Sequence, residues 1–118
     1  MNQVLEQEVN QLHAEFCAAL ADPKRILLLY LLAEAPHNVT ELVNQLQMSQ
    51  PAVSRHLKVL RERGMAKAVR TGTTVEYSLA DPRLIQALDL LRAALRDHLS
   101  HRAELAGALQ EESLETAE

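Results

Sequence analysis

The chain contains no tryptophan, one phenylalanine and two tyrosines among 118 residues. Strand-rich folds draw on aromatic and β-branched residues. That scarcity, set against 22 leucines and 17 alanines, points to a mainly helical protein. A single cysteine, Cys17, excludes an internal disulfide and any all-cysteine zinc site within one chain, and makes a reducing cytoplasm the expected compartment. With three glycines and four prolines, each one is a marked point in the chain. No apolar run reaches the ~18 residues of a membrane span. No basic stretch followed by an apolar one opens the chain, so no secretory signal is expected. A Gly-rich phosphate loop, a Gly-x-Ser-x-Gly turn and an assignable pair of catalytic acids are all missing, which argues against an enzyme.

What is present suits one domain of ordinary size, with 47% hydrophobic and 24% charged residues. The net charge of −4 conceals a segregation. Residues 49–70 hold Arg55, Lys58, Arg61, Arg63, Lys67 and Arg70 against Glu62 alone, a local charge of +5, and the rest of the chain carries −9. Such a protein binds a polyanion at one place and keeps its other faces off it. On charge alone, a solvated helix face remains an open alternative.

Leu5, Val9, Leu12, Phe16 and Leu20 recur at helical spacing and predict a helix over residues 3–20. Asp22-Pro23 has the form of a helix start, with Asp as N-cap and Pro in the first position. Ile26 to Leu32 follow without a polar break, so that helix is expected at the centre of the core, and Pro36 ends it. Asn38-Val39-Thr40-Glu41 reads as a capping box opening a short helix to about Leu46. After Gln47-Met48, Ser49 caps a further helix whose inner stripe is Val53, Leu57 and Leu60, and Gly64 stops it. Met65 to Leu79 changes period. Met65, Lys67 and Val69 alternate with smaller residues, and Val75, Tyr77 and Leu79 alternate with Glu76 and Ser78, around Thr71-Gly72-Thr73. This predicts a two-stranded hairpin. Asp81-Pro82 opens a long helix striped by Leu84, Leu88, Leu91, Leu95 and Leu99. Residues 111–118, with four glutamates, read as a disordered acidic tail, leaving residues 1–110 as the folded domain.

Two helices joined by a tight turn, the second followed directly by a hairpin, make a winged helix-turn-helix. The basic segment covers that second helix and the hairpin, so charge and architecture select the same element for DNA. At this point three stretches carry a family resemblance. Ala18-Ala19-Leu20-Ala21-Asp22-Pro23-Lys24-Arg25-Ile26 resembles the Leu-Ala-Asp-Pro-x-Arg opening of the ArsR/SmtB-type repressors. Ser49-Gln50-Pro51-Ala52-Val53-Ser54-Arg55-His56-Leu57-Lys58-Val59-Leu60 is similar to their recognition helix over its whole length. Gly72-Thr73-Thr74-Val75-Glu76-Tyr77-Ser78-Leu79 looks like their wing and its return strand. The resemblance covers about residues 14–100. It implies a homodimeric winged-helix repressor whose first and last helices form the interface, and which leaves DNA in response to a metal, a metalloid or sulfur redox state.

The inner stripe of the recognition helix turns Gln50, Ser54, Arg55 and Lys58 outward. Gln can bridge adenine, Arg can fork onto guanine and Ser is adaptable. Lys58 and Arg61 are placed for phosphate. Ser49 caps the helix and leaves nearby N–H groups to a phosphate. Arg70, Thr71 and Thr73 sit at the wing tip, along the adjacent groove or backbone. His56, next to the core stripe, is expected to pack rather than read bases. Apolar stripes on the first and last helices exceed what one small domain covers. A second copy would bury them and build a two-fold reader for a palindromic operator. A winged-helix module that binds protein, and a DNA-binding regulator without an inducer, are the alternatives.

For a sensor, residues 39–47 lack the Cys-x-Cys pair of the metal-sensing relatives. His98 and His101 resemble the second half of a zinc-type site on the last helix. Its first half is missing, since Ile85 and Ala87 stand where an Asp-x-His would be. His13 and Cys17, at i and i+4, form a second candidate pair for a soft metal. A zinc-like or soft ion is one expectation and no cofactor is the other.

Overall fold

The computed structural model describes residues 1–116, and the chain divides into two compact units, Met1–Ile85 and Gln86–Glu118. The first unit opens with α1 (Gln3–Leu12), a π-helical turn (His13–Cys17) and α2 (Ala18–Leu20). It continues with α3 (Pro23–Glu34), α4 (Val39–Leu46), α5 (Gln50–Glu62), β1 (Ala66–Thr71) and β2 (Thr74–Leu79), and with the start of α6 (Arg83–Thr116). Hairpin, helix-turn-helix and flanking helices thus follow the expected order, and the architecture is that of a winged helix-turn-helix. The single helix expected over residues 3–20 is interrupted by the π-turn, which apolar spacing does not reveal.

Short polar residues start the helices by satisfying first-turn N–H groups. Asp22 Oδ1 accepts from Lys24 N at 2.8 Å. Asn38 and Glu41 close a complete capping box, Glu41 N donating to Asn38 Oδ1 at 2.8 Å and Asn38 N to Glu41 Oε1 at 3.1 Å. Ser49 Oγ accepts from Ala52 N at 3.3 Å. Between α4 and α5, Gln47 takes the left-handed conformation with φ 53°. α5 ends in a Schellman motif: Gly64 N donates to Arg61 O at 3.1 Å and Met65 N to Leu60 O at 2.8 Å, with Gly64 at φ +75°. Met65 and Leu60 are both fully buried, supplying the apolar contact that accompanies this cap.

Val53, Leu57 and Leu60 of α5 are buried with Leu28, Leu29 and Leu32 of α3 and Leu42 of α4. α5 packs on α3, α4 and β1. α3 is less uniformly enclosed than its run of apolar residues suggests, because Leu27 is exposed. The hairpin register pairs Ala66 with Leu79, Ala68 with Tyr77 and Arg70 with Val75 on one face. Val69 therefore faces outward opposite Glu76, contrary to the alternation that placed it with Met65. Small alanines occupy the inner face of β1, which side-chain size alone conceals. Gly72-Thr73 forms a two-residue turn with Gly72 at φ +65°. One further rung was not anticipated. His37 N donates to Tyr77 O at 3.0 Å and Tyr77 N to His37 O at 2.8 Å, adding an isolated bridge to the edge of β2.

In the second unit α6 exposes Leu90, Leu91, Leu95, Leu99, Leu105 and Leu109, while Leu88 is buried. The acidic stretch from Glu111, expected to be disordered, is helical as far as Thr116. Ala, Leu and Glu favour helix and extend one already begun at no further nucleation cost. Ala117 and Glu118 lie outside the described residues.

Asp81 caps the start of α6, accepting from Arg83 N at 2.9 Å, and its carboxylate is paired to the Arg83 guanidinium at 2.7 Å. These bonds, the side-chain one first, hold its pKa down from 3.8 to about 2. A lowered folded-state pKa contributes stability that is complete above the unfolded value and lost as pH falls through the folded one. Asp81→Asn keeps a capping oxygen but loses the charge. The variant is expected to be less stable than wild type at pH 7 and to converge with it as pH falls from about 4 to 2. Urea unfolding across that range checks it.

Candidate nucleic-acid interface

Burial of Val53, Leu57 and Leu60 fixes the rotation of α5 and decides which residues meet solvent. Ser54, Arg55 and Lys58 point away from the core, Arg61 lies on a flank and Gln50 sits in the first turn, all exposed. Lys58 and Arg61 border a surface groove together with Glu62. At the hairpin tip Arg70, Thr71 and Thr73 are exposed. Among the described residues Arg55, Lys58, Arg61 and Arg70 enter no ion pair. A row of unneutralised cations on one helix and one hairpin tip is suited to a line of phosphates. Ser49 spends its side-chain oxygen on the cap.

The residues that hold this face in place were less visible in the sequence. His56 is half-buried, as expected of a packed histidine, and its partners are specific. Its Nδ1 lies 3.5 Å from Arg25 Nη1 and 3.9 Å from Asp22 Oδ2. Arg25 Nε donates to Ala19 O at 2.6 Å and Nη2 to Ala18 O at 3.4 Å. The Asp22-Pro23-Lys24-Arg25 segment thus starts α3, caps the carbonyl end of α2 and touches α5. At the other end of α5, Arg63 Nη1 donates to Ala14 O at 2.8 Å and lies 3.4 Å from Glu15 Oε2. Neither arginine sits in an apolar period. The recurrence of Arg25 in the Asp-Pro-x-Arg motif was the only available signal for the first, and nothing marked the second.

The metal candidates are placed differently. His98 and His101 are exposed on α6 in the second unit, three residues apart and so on one helix face. His13 and Cys17, both exposed, bracket the π-turn of the first unit. Among the described residues no three His, Cys, Asp or Glu side chains come together as a metal site. None of the described helices is long and apolar enough to cross a membrane.

Comparison with known proteins agrees with this geometry. Residues 22–68 match the model of the arsR family of bacterial regulatory proteins. The chain is 37% identical over 97 residues to the transcriptional repressor SmtB homolog of Synechocystis sp., spanning 82% of this chain and 70% of that protein. It is 38% identical over 85 residues to a Streptomyces lividans protein named "Probable mercury resistance operon repressor", spanning 72% and 68%. A homodimeric winged helix-turn-helix DNA-binding domain from Mycobacterium bovis superposes with a TM-score of 0.73 at 26% identity, covering 86% of this chain and 93% of that one. The chain therefore belongs to the arsR family of winged helix-turn-helix, DNA-binding transcriptional regulators.

Proposed function

We propose that the protein is a homodimeric repressor that reads a palindromic operator in the cytoplasm with α5 in the major groove and the wing tip along the neighbouring backbone. The observation that carries this reading is the exposed, unpaired basic face of α5 and the hairpin, built on a helix whose rotation the core fixes. Arg55 forks onto a base edge, Gln50 and Ser54 read beside it, and Lys58, Arg61 and Arg70, with Thr71 and Thr73, contact phosphate. Ser49 presents the first-turn N–H groups. The dimer reading is supported by two uncovered stripes. Leu5, Val9 and Leu12 are 47–50% exposed, and Leu91, Leu95 and Leu99 are 65%, 54% and 48% exposed. Burying the exposed half of such side chains is worth roughly 1 kcal/mol each, which a second copy would recover. The homodimeric Mycobacterium bovis domain supports the same assembly.

For a metal signal, each candidate supplies two ligands among the described residues. His98 with His101 and His13 with Cys17 are pairs, and a structural zinc shell takes four ligands. An ion held at either pair would need further ligands, which a second copy could supply. Zinc, cadmium and mercuric titrations of wild type and of the double variant His98→Ala/His101→Ala, followed by calorimetry, decide the assignment. Binding tighter than about 10 μM that the double variant loses places the ion at this pair; equal binding by both removes it.

Two further outcomes are expected. On a duplex selected by the wild-type protein, Arg55→Ala loses roughly 1–3 kcal/mol and base preference at one position per half-site. Lys58→Ala weakens binding uniformly and lowers the salt slope by about one. Equal losses for Arg55→Ala on selected and random DNA would make Arg55 a phosphate contact. Leu91→Glu, on the α6 stripe, gives monomers in sedimentation and loses DNA affinity in parallel; a dimeric variant would place the interface elsewhere.

A further inference from the structure

Among Arg55, Lys58, Arg61, Arg63 and Arg70, the basic arginines and lysine of α5 and the wing tip, Arg63 alone is ion-paired among the described residues. Arg63 is the C-cap residue of the recognition helix, and its guanidinium reaches 49 residues back to the Ala14 carbonyl and the Glu15 carboxylate. The acceptor is unusual. In an α-helix the Ala14 carbonyl would receive the Ala18 N–H, but in the π-turn Ala18 N–H donates to His13 O. The π-turn thus takes the Ala18 N–H away from the Ala14 carbonyl, and Arg63 donates to that carbonyl. A few residues on, the Ala18 and Ala19 carbonyls are held by Arg25, whose guanidinium also lies beside His56 of α5. The first helix and the recognition helix are consequently tied at two points along α5.

We propose that Arg63 is a positioning residue for operator recognition. It fixes the C-terminal end of α5 to the π-turn of the first helix, and so sets the separation of the two recognition helices in the dimer. The inference rests on the dimer reading above, in which the first helix belongs to the interface. A two-fold reader demands half-sites about one helical turn apart. A guanidinium bonded to a backbone carbonyl and flanked by a carboxylate constrains direction as well as distance.

The test uses the full chain and a palindromic duplex selected from a random pool by the wild-type protein. Derivatives of that duplex carry one or two base pairs added or removed at its centre. Wild type is expected to lose at least tenfold in affinity on the altered spacings. Arg63→Ala remains dimeric, binds the parent duplex several-fold more weakly and discriminates between spacings by less than threefold. Arg63→Lys, which keeps a cationic donor, retains most of the discrimination. A dimeric Arg63→Ala with undiminished spacing discrimination overturns the proposal. So does a loss that is equal on every spacing with a lower salt slope, since that marks Arg63 as a phosphate contact. Should Arg63→Ala melt below the assay temperature, Arg63→Gln carries the same comparison with the same two outcomes. A wild-type protein that sediments as a monomer or ignores spacing refutes the dimer reading itself, and is distinguished from failure of the Arg63 role by being seen before any substitution.

Discussion

The burial of three side chains on α5 is the constraint on which the interface depends. Val53, Leu57 and Leu60 are almost wholly removed from water, so α5 has one stable rotation against α3, α4 and β1. Turning the helix by one residue would expose this stripe and bury Ser54, Arg55 or Lys58, a loss of several kcal/mol in desolvated polar groups and exposed leucine. The geometry of the basic face is thus a by-product of core packing. The Schellman cap at Gly64 and the Ser49 cap fix the length of the helix on either side of that stripe.

Rotation is set by apolar contacts, but the placement of the helix within the unit is set by polar ones. Arg25 and Arg63 both donate to main-chain carbonyls near the π-turn, at Ala14, Ala18 and Ala19. Carbonyls at a helix end are short of intrahelical donors, and a charged donor there is worth more than a neutral one. The segment that joins the first helix to the rest of the unit is therefore held by cations whose donors are already engaged by backbone carbonyls, and the basic residues differ in their partners. Charge counting treats all six alike. Only the structure separates Arg63 from Arg55, Lys58 and Arg61.

The elements that were legible in the sequence are those whose cause is local. Asp22, Asn38 with Glu41, Ser49 and Asp81 start their helices where short polar side chains can cap, and Gly64 and Gly72 mark the places where positive φ is required. The helical spacing of Val53, Leu57 and Leu60, at steps of four and three, gave the orientation of the candidate site. What remained hidden has a non-local cause or leaves no compositional mark. The π-turn inserts no special residue type. The outward placement of Val69 follows from pairing with Glu76, and the Arg63–Ala14 bond joins residues far apart in sequence. The helix through Thr116 is hidden by an acidic composition that reads as disorder, although glutamate is a good helix former.

The rung between His37 and Tyr77 bears on how the wing coexists with other copies of itself. By pairing with Tyr77, the segment before α4 occupies part of the outer edge of β2, while the outer edge of β1 has no strand beside it among the described residues. An open strand edge offers backbone groups to any extended chain that approaches, which is the route to edge-to-edge association and to fibrils. β1 carries Lys67 and Arg70, both exposed, on a strand of six residues. Two such edges brought together would set like charges face to face. The cations of the wing that suit a phosphate backbone therefore also keep crowded copies of the protein from knitting their hairpins into a common sheet.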